Sequence, residues 1–294
     1  MTKLKSVTLQ YQYPSFIRKF PALLKWVYGL NYLTQLRKWY VMREWKSVLS
    51  SMPSPFTVVD FGCGEGQYIV PLTQQFASST FIGADYHQPS VELMDLFSIP
   101  NLSGRILNLE SDQLKEEADL ALCIGVLQYI DNDQFALDNM FKSLRKNGQL
   151  LLYVPINGQF LTTIYKSIFE RFEQYESVNN RKRVYTEKEI IAKCENSGFI
   201  ITQKVYTYGT AGKLSHELLN SCITLIVSGN YLLKIIAGIC LVLFYPLVLL
   251  LMMVDYFINK SDGNGVLLIL EKMVTKLYIE CENSAEDFKS LKSM

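Results

Sequence analysis

The chain has 294 residues, 49% of them hydrophobic and 19% charged, with a formal net charge of +1. That length suits one sizeable core or two modest domains, and the composition excludes a disordered chain. Its six cysteines, at positions 63, 123, 194, 222, 240 and 281, have neither the short spacing of a zinc site nor the density of a small secreted scaffold, so no metal is expected and a reducing compartment is the simpler reading.

Residues 1–46 carry nine Lys or Arg against one acid, Glu44, and are rich in aromatics, among them Tyr11, Tyr13, Trp26, Trp39 and Trp45. Basic and aromatic residues together suit a nucleic acid or a membrane surface. The start lacks the uninterrupted apolar run and small-residue cleavage site of a secretory signal. Residues 16–49 read as two helices joined near Gly29 to Asn31. From Val58 onward, short apolar strands alternate with helices. The strands are "TVVDFG", "TFIGADY", "GRILNLE", "ADLALCIG" and "GQLLLYVPI"; "GQYIVPLTQQFA", "PSVELMDLF" and "DNDQFALDNMFKSLRKNG" are the intervening helices. This alternation argues for right-handed βαβ units and a parallel sheet covered on both faces. The polar stretch "FERFEQYESVNNRKRVYT" is a surface excursion. A helix capped by Thr186, with Glu189 three residues on, follows and stops at Asn196 to Gly198.

Beyond "FIITQKVYTYG" the texture changes. "HELLNSCITLIVSGN" is a short apolar helix, and Ile235 to Val254 run for twenty residues without a charge, the length of a hydrocarbon-spanning helix, with Pro246 as the place for a bend. "GNGVLLILEKM" returns to strand, and a polar tail closes the chain.

In "VVDFGCGEGQYIVPL" three glycines at alternate positions follow a strand and an acid. Glycines in such a turn let a ligand approach the backbone and a helix start. The spacing is G-x-G-x-G and not the G-x-G-x-x-G of dinucleotide binders. Here the chain resembles the class I S-adenosylmethionine-dependent methyltransferases, over roughly Arg37 to Lys272, and within them the small-molecule and quinone-biosynthesis branch. Asp60, Gly62, Gly64 and Gly66 match the D-x-G-x-G-x-G motif completely, which in that family holds the methionine end of the cofactor. The resemblance makes Asp85, nineteen residues past Gly66, the ribose-hydroxyl ligand, and makes Glu110 or its close competitor Asp112 the partner of the adenine amino group. It also places Cys63, Tyr86, Cys123, Gly125 and Gln128 along the cofactor, Gln128 standing where histidine often occurs in "DLALCIGVLQYI". The implied fold is a Rossmann-like seven-stranded, mostly parallel sheet with N-terminal helices and an apolar helical insertion between the last two strands. Its divisions are a basic-aromatic lid (1–50), a core (51–210 and 263–277), the insertion (211–262) and a tail (278–294). S-adenosylmethionine is the implied cofactor, S-adenosylhomocysteine its product.

Methyl transfer is an in-line displacement whose main demand is alignment and exclusion of water, so neither a metal nor a strong base is required. His216 is a candidate for activating or positioning the acceptor, with a helix-start role as the alternative. His87, just past Asp85, is read mainly as a structural group beside the cofactor, with base chemistry as the alternative. Arg183 and Tyr185 bind an acidic group of the acceptor or else lie in a solvated loop; Tyr11 and Tyr13 are further candidates for acceptor contact. If the last two strands share one sheet, one complete span between them is impossible, so the insertion is read as a shallow or interfacial helix pair on the cytoplasmic side of a membrane. The alternatives are a buried cap and a homodimer core in a soluble protein. A membrane surface then explains the basic-aromatic end better than nucleic acid does. The expected acceptor is an apolar small molecule or lipid-linked compound of phenolic, polyene-linked or quinone-precursor type, with oxygen preferred over carbon as the methylated atom; a non-catalytic cofactor-binding protein is the competing class.

Overall fold

A computed structural model describes residues 20–114, 118–172 and 181–273. Tyr11, Tyr13 and the tail lie outside these residues. Seven strands form one sheet: β1 (Thr57–Phe61), β2 (Thr80–Asp85), β3 (Leu102–Ile106), β4 (Ala118–Ile124), β5 (Leu144–Pro155), β6 (Phe199–Thr207) and β7 (Gly265–Lys272). Their order is β3-β2-β1-β4-β5-β7-β6, parallel from β3 to β5, with β7 antiparallel to both of its neighbours. The chain reverses direction across the sheet between β1 and β4, where open sheets of this kind bind their ligands.

The central strands are apolar on both faces because both faces are covered. Val58, Leu120, Leu122, Leu151 and Leu267 point to one side, where Trp45 and Leu49 of α2 (Leu36–Ser51) and Leu93 and Met94 of α3 (Gln88–Leu96) cover them. Val59, Phe61, Ala121, Leu150 and Leu268 point to the other, under Leu137 and Met140 of α4 (Asp133–Ser143) and Ile190 and Cys194 of α6 (Glu187–Asn196). Thr186 caps α6 as expected, its Oγ1 accepting from the Glu189 amide at 3.2 Å.

Three local expectations are corrected. "GQYIVPLTQQFA" is not an α-helix but a run of turns around a short 3₁₀ segment, Val70–Leu72. Pro71 offers no N–H and its ring collides with the carbonyl four residues back. The N-terminal helices, α1 (Pro21–Thr34) and α2, meet at Gln35 and not at Gly29 to Asn31. One glycine costs an otherwise favourable helix only about 1 kcal/mol, too little to end it. The helix after β4 ends at Ser143, and Leu144 already pairs with Ala118 as the start of β5.

The insertion between β6 and β7 consists of α7 (Thr210–Ser228) and α8 (Tyr231–Phe257), packed on each other; α5 (Thr163–Phe172) packs on α7. Asn230 caps α8, its side chain accepting from the Leu233 amide at 3.0 Å, and the helix runs unbroken through Pro246. Leu219, Val248 and Met252 dock on Leu36 and Tyr40 of α2. Beneath them the buried Asp255 carboxylate accepts from the Tyr40 hydroxyl at 2.9 Å and the Gly212 amide at 3.1 Å, with Lys260 Nζ at 3.7 Å. The outer side of α8, including Ile239, Val242, Leu243, Leu247, Leu250 and Met253, is exposed.

Candidate active site

The glycine turn after β1 is fixed by sterics. Gly62 and Cys63 both donate to the Ala84 carbonyl, at 2.8 and 3.1 Å, which ties the turn to β2. Gly62 has φ +73°, and a Cβ there would lie 2.4 Å from Val126 Cγ2. Gly64 also has a left-handed φ, +52°, but nothing lies within 4 Å of its missing Cβ: the space above it is open to a ligand. Gly66, at φ +78°, is crowded from below by Val70 and Met94. Asp85 is buried and accepts from the Gly64 amide and from the His87 amide, each at 2.9 Å. Asp60 is buried with Oδ2 unpartnered; its pKa is pushed up to about 7, first by burial and then by the Asp85 charge.

A cleft of about 900 Å³ opens over this turn. Asp60, Gly62, Cys63, Gly64, Gly125 and Gln128 lie at one end of it and His216 at the other. Gly125, at the mouth of β4, takes φ +70°; a Cβ there would lie 2.8 Å from Arg37 Nη1. The Arg37 guanidinium stands 5.4 Å over the Tyr153 ring, among Tyr68, Tyr153 and Tyr208, and no carboxylate among the described residues pairs with it. The Arg37 amide donates to the Tyr208 hydroxyl at 3.0 Å. Tyr208 itself holds φ +55°, a strained conformation for an aromatic residue. Its ring meets His216 edge-on at 5.4 Å, as does Tyr165 at 6.1 Å. Burial lowers the His216 pKa to about 4, so the imidazole is neutral near pH 7, and the Asn220 amide lies 2.9 Å from its Nδ1. The neighbouring Glu217 is buried and pins the start of α5, accepting from the Thr162 amide at 2.8 Å and the Thr162 hydroxyl at 2.6 Å. Phe160, Tyr165, Phe169, Ile223 and Val227 make this end of the cleft largely apolar.

The other predicted residues lie elsewhere. Glu110 is exposed and accepts from the Asp131 and Asn132 amides, at 2.7 and 3.1 Å, while Asp112 closes its own turn on the Asn108 amide at 2.9 Å. Tyr86 is 64% exposed beside Asp85. His87 stands at the start of α3, its Nδ1 3.4 Å from Ser90 Oγ. Cys123 is buried in β4 behind the cleft floor, where burial raises its thiol pKa, as it does that of Cys63. Arg183 and Tyr185 converge on the buried Asp133, at 2.5 and 2.8 Å, with Lys193 at 3.0 Å. They form a structural knot between α4 and α6, next to Arg181 and Val184, which line the cleft.

The basic N-terminal helices also turn inward. Arg37 enters the cleft, and Lys38 is fully buried, donating to the Tyr28 carbonyl at 2.9 Å, its pKa pushed down by burial to about 8. Sequence reasoning did not single out Arg37, Tyr68, Tyr153 or Tyr208. The signal for Arg37 was its place in the basic-aromatic run, but nothing there separates it from its eight basic neighbours.

Residues 59–150 match a family model described as a methyltransferase domain. The chain is 27% identical to a ubiquinone biosynthesis O-methyltransferase of Rickettsia akari over 129 residues, 42% of this chain and 49% of that protein. It is 30% identical to a trans-aconitate 2-methyltransferase of Deinococcus radiodurans over 100 residues, 34% of this chain and 38% of that protein. The chain thus spans about half or less of the length of the curated relatives it matches. In structure it resembles a phosphoethanolamine N-methyltransferase of Haemonchus contortus, with a TM-score of 0.56 at 15% identity, covering 91% of this chain and 60% of that one. The cleft fits S-adenosylmethionine: open space above Gly64 for the backbone approach, the unpartnered Asp60 Oδ2 to favour a positive group, and the Arg37 guanidinium to favour a carboxylate.

Proposed function

We propose that this chain, which has the class I S-adenosylmethionine-dependent methyltransferase fold, methylates an oxygen of an apolar, lipid-linked small molecule of phenolic or quinone-precursor type. The observation that carries this reading is one continuous cleft whose floor is the glycine turn and whose far wall is aromatic and apolar around His216. The bound cofactor supplies an electrophilic methyl carbon on a sulfonium. Asp60, Gly62, Gly64, Gly125 and Arg37 hold its methionine end, Asp85 its ribose, and Tyr86 with Glu110 or Asp112 flanks the adenine. Gly125 and Val126, the latter packed against Gly62, form the floor between cofactor and acceptor. Phe160, Tyr165 and Tyr208 exclude water and align the acceptor. His216, neutral and in contact with Tyr208, hydrogen-bonds the accepting oxygen. Oxygen is preferred because a phenol needs little activation, whereas a carbon acid needs a strong base and His216, its pKa lowered to about 4, is a weak one; the name of the Rickettsia relative supports the same choice.

The enzyme works at the cytoplasmic face of a membrane. In support, one helix among the described residues, α8, is long and apolar enough to cross a bilayer, and the α7–α8 pair that contains it leaves from β6 and returns to the neighbouring β7 of one sheet, a connection that suits a helix pair lying in the interface.

The test is incubation with methyl-labelled cofactor and a lipid extract, followed by identification of the labelled product. A labelled small molecule carrying a new O-methyl group is expected; label only in protein or nucleic acid refutes the reading, and a new carbon-methyl bond refutes the choice of oxygen. Gly64→Arg is expected to abolish cofactor binding in a folded protein. His216→Ala is expected to lower turnover about 100-fold with cofactor affinity held within twofold.

A further inference from the structure

The cleft does not end at His216. Thr34 at the end of α1 and Leu219 and Ile223 on α7 line it, and the same three residues line a second recess of about 310 Å³, closed by Leu241, Val242 and Tyr245 of α8. Among the described residues, no charged side chain lines that recess. The one phenol in its wall is already committed, because the Tyr245 hydroxyl donates to the Leu33 carbonyl at 2.7 Å and so ties α8 to α1. What remains facing the space is aliphatic and aromatic carbon with the Thr34 side chain. At its outer end Val242 is 75% exposed, on the apolar side of α8.

We propose that this recess is a tail subsite: it takes the hydrocarbon chain of the acceptor, which runs from a reactive head beside His216 past Leu219 and Ile223 and emerges between Leu241 and Val242. The inference rests on the methyltransferase reading of the cleft and adds the class of its acceptor, a compound with an unbranched or isoprenoid chain. Two features favour such a chain over a separate ligand. Thr34, Leu219 and Ile223 line both spaces, so the recess adjoins the cleft and a chain leaving the one has only those three side chains to pass to reach the other; and the recess offers a head group nothing to pair with, since a polar group there would lose its hydrogen bonds to water without replacement. Its outer mouth opens on the face assigned to lipid, so a chain can enter sideways with its end still in an apolar medium.

The experiment uses the full chain saturated with S-adenosylhomocysteine and measures, by calorimetry, binding of butyl and octyl 4-hydroxybenzoate, which share a phenolic head. If the four extra methylenes enter the recess, each tightens binding about fourfold, so octyl binds roughly 200-fold tighter than butyl. Leu241→Trp, which fills the recess, is expected to bring that ratio below about 10 while the affinity for S-adenosylhomocysteine stays within twofold, the sign that the fold is intact. Val242→Lys, at the exposed mouth, makes the same test if the tryptophan variant does not fold. A folded variant of either kind with the full 200-fold ratio overturns the subsite, and so does a wild-type ratio near one. Failure of the wild-type protein to bind S-adenosylhomocysteine refutes the methyltransferase reading instead, and the chain-length ratio, read without it, then decides the recess by itself.

Discussion

Asp60 is an acid held where its charge is penalised until something positive arrives. Its pKa of about 7 lies above that of an aspartate in the unfolded chain, so between about pH 4 and pH 7 the folded state holds the proton that the unfolded state has released. Stability of the ligand-free protein therefore falls as pH rises through that window and levels off above it, by on the order of 4 kcal/mol for a shift of about three units. Asp60→Asn is expected to flatten this part of the profile of melting temperature against pH. A cationic ligand reverses the preference, so binding S-adenosylmethionine at pH 6.5 is expected to release a proton, and neutral-sulfur S-adenosylhomocysteine less of one. Calorimetry in buffers of different ionisation enthalpy reads the number directly; equal release by both ligands would remove Asp60 from the electrostatics of the site. Asp60 and its glycines were legible in the sequence because backbone conformation and close approach restrict those positions to one residue type. Arg37 was not, since a single arginine turns inward only because Tyr68, Tyr153 and Tyr208 come from three distant parts of the chain. Arg183 and Tyr185 show the converse: a basic-aromatic pair reads the same whether it meets a substrate or, as here, the buried Asp133.

At the level of elements, strands were legible from runs of alternating or continuous apolar residues, while the place of β7 between β5 and β6 was not, since strand order depends on contacts between distant parts of the chain. The helix expected after Gly66 failed on one proline. The insertion was legible as apolar but not as anchored. What anchors it is the Asp255 cluster, which joins the end of α8 to α2 through Tyr40 and to the start of α7 through Gly212. Removing one member of such a buried set leaves the others uncompensated, at a cost of about 3 to 5 kcal/mol. Asp255→Ala is expected to lower the unfolding free energy from denaturant titration by that amount and to loosen α7, bringing amide exchange at Leu214 to Cys222 up by at least tenfold relative to β4. If global stability drops with no selective gain in exchange along α7, the cluster supports the core at large and not the insertion.

For the molecule as a whole, α8 is about 40 Å long and exposes apolar side chains along its outer side, while its inner side is occupied by α7 and α2. Burying each large aliphatic side chain in lipid is worth about 1.5 to 3 kcal/mol, so a handful suffices for stable attachment. The protein is expected to sediment with phospholipid vesicles, and Leu243→Lys with Leu247→Lys and Leu250→Lys to leave it in the supernatant with unchanged thermal stability. A protein that stays free of vesicles and runs as a dimer, dissociated by the same substitutions, would mean that a second copy covers the face.

The strand order has a consequence for how the chain is made. Among the described residues β6 pairs with no strand except β7, and β7 is also the partner that completes β5. During synthesis β6 therefore has nothing to pair with until Gly265 to Lys272 have emerged, and everything between the two strands is the apolar helix pair. The most water-averse part of the molecule is produced while the sheet is still open at that edge, with its docking site on α2 already made. A bilayer near the ribosome would shelter α8 through that interval, so the surface on which the finished enzyme is proposed to work would also serve as the place where its last strand finds the gap left for it.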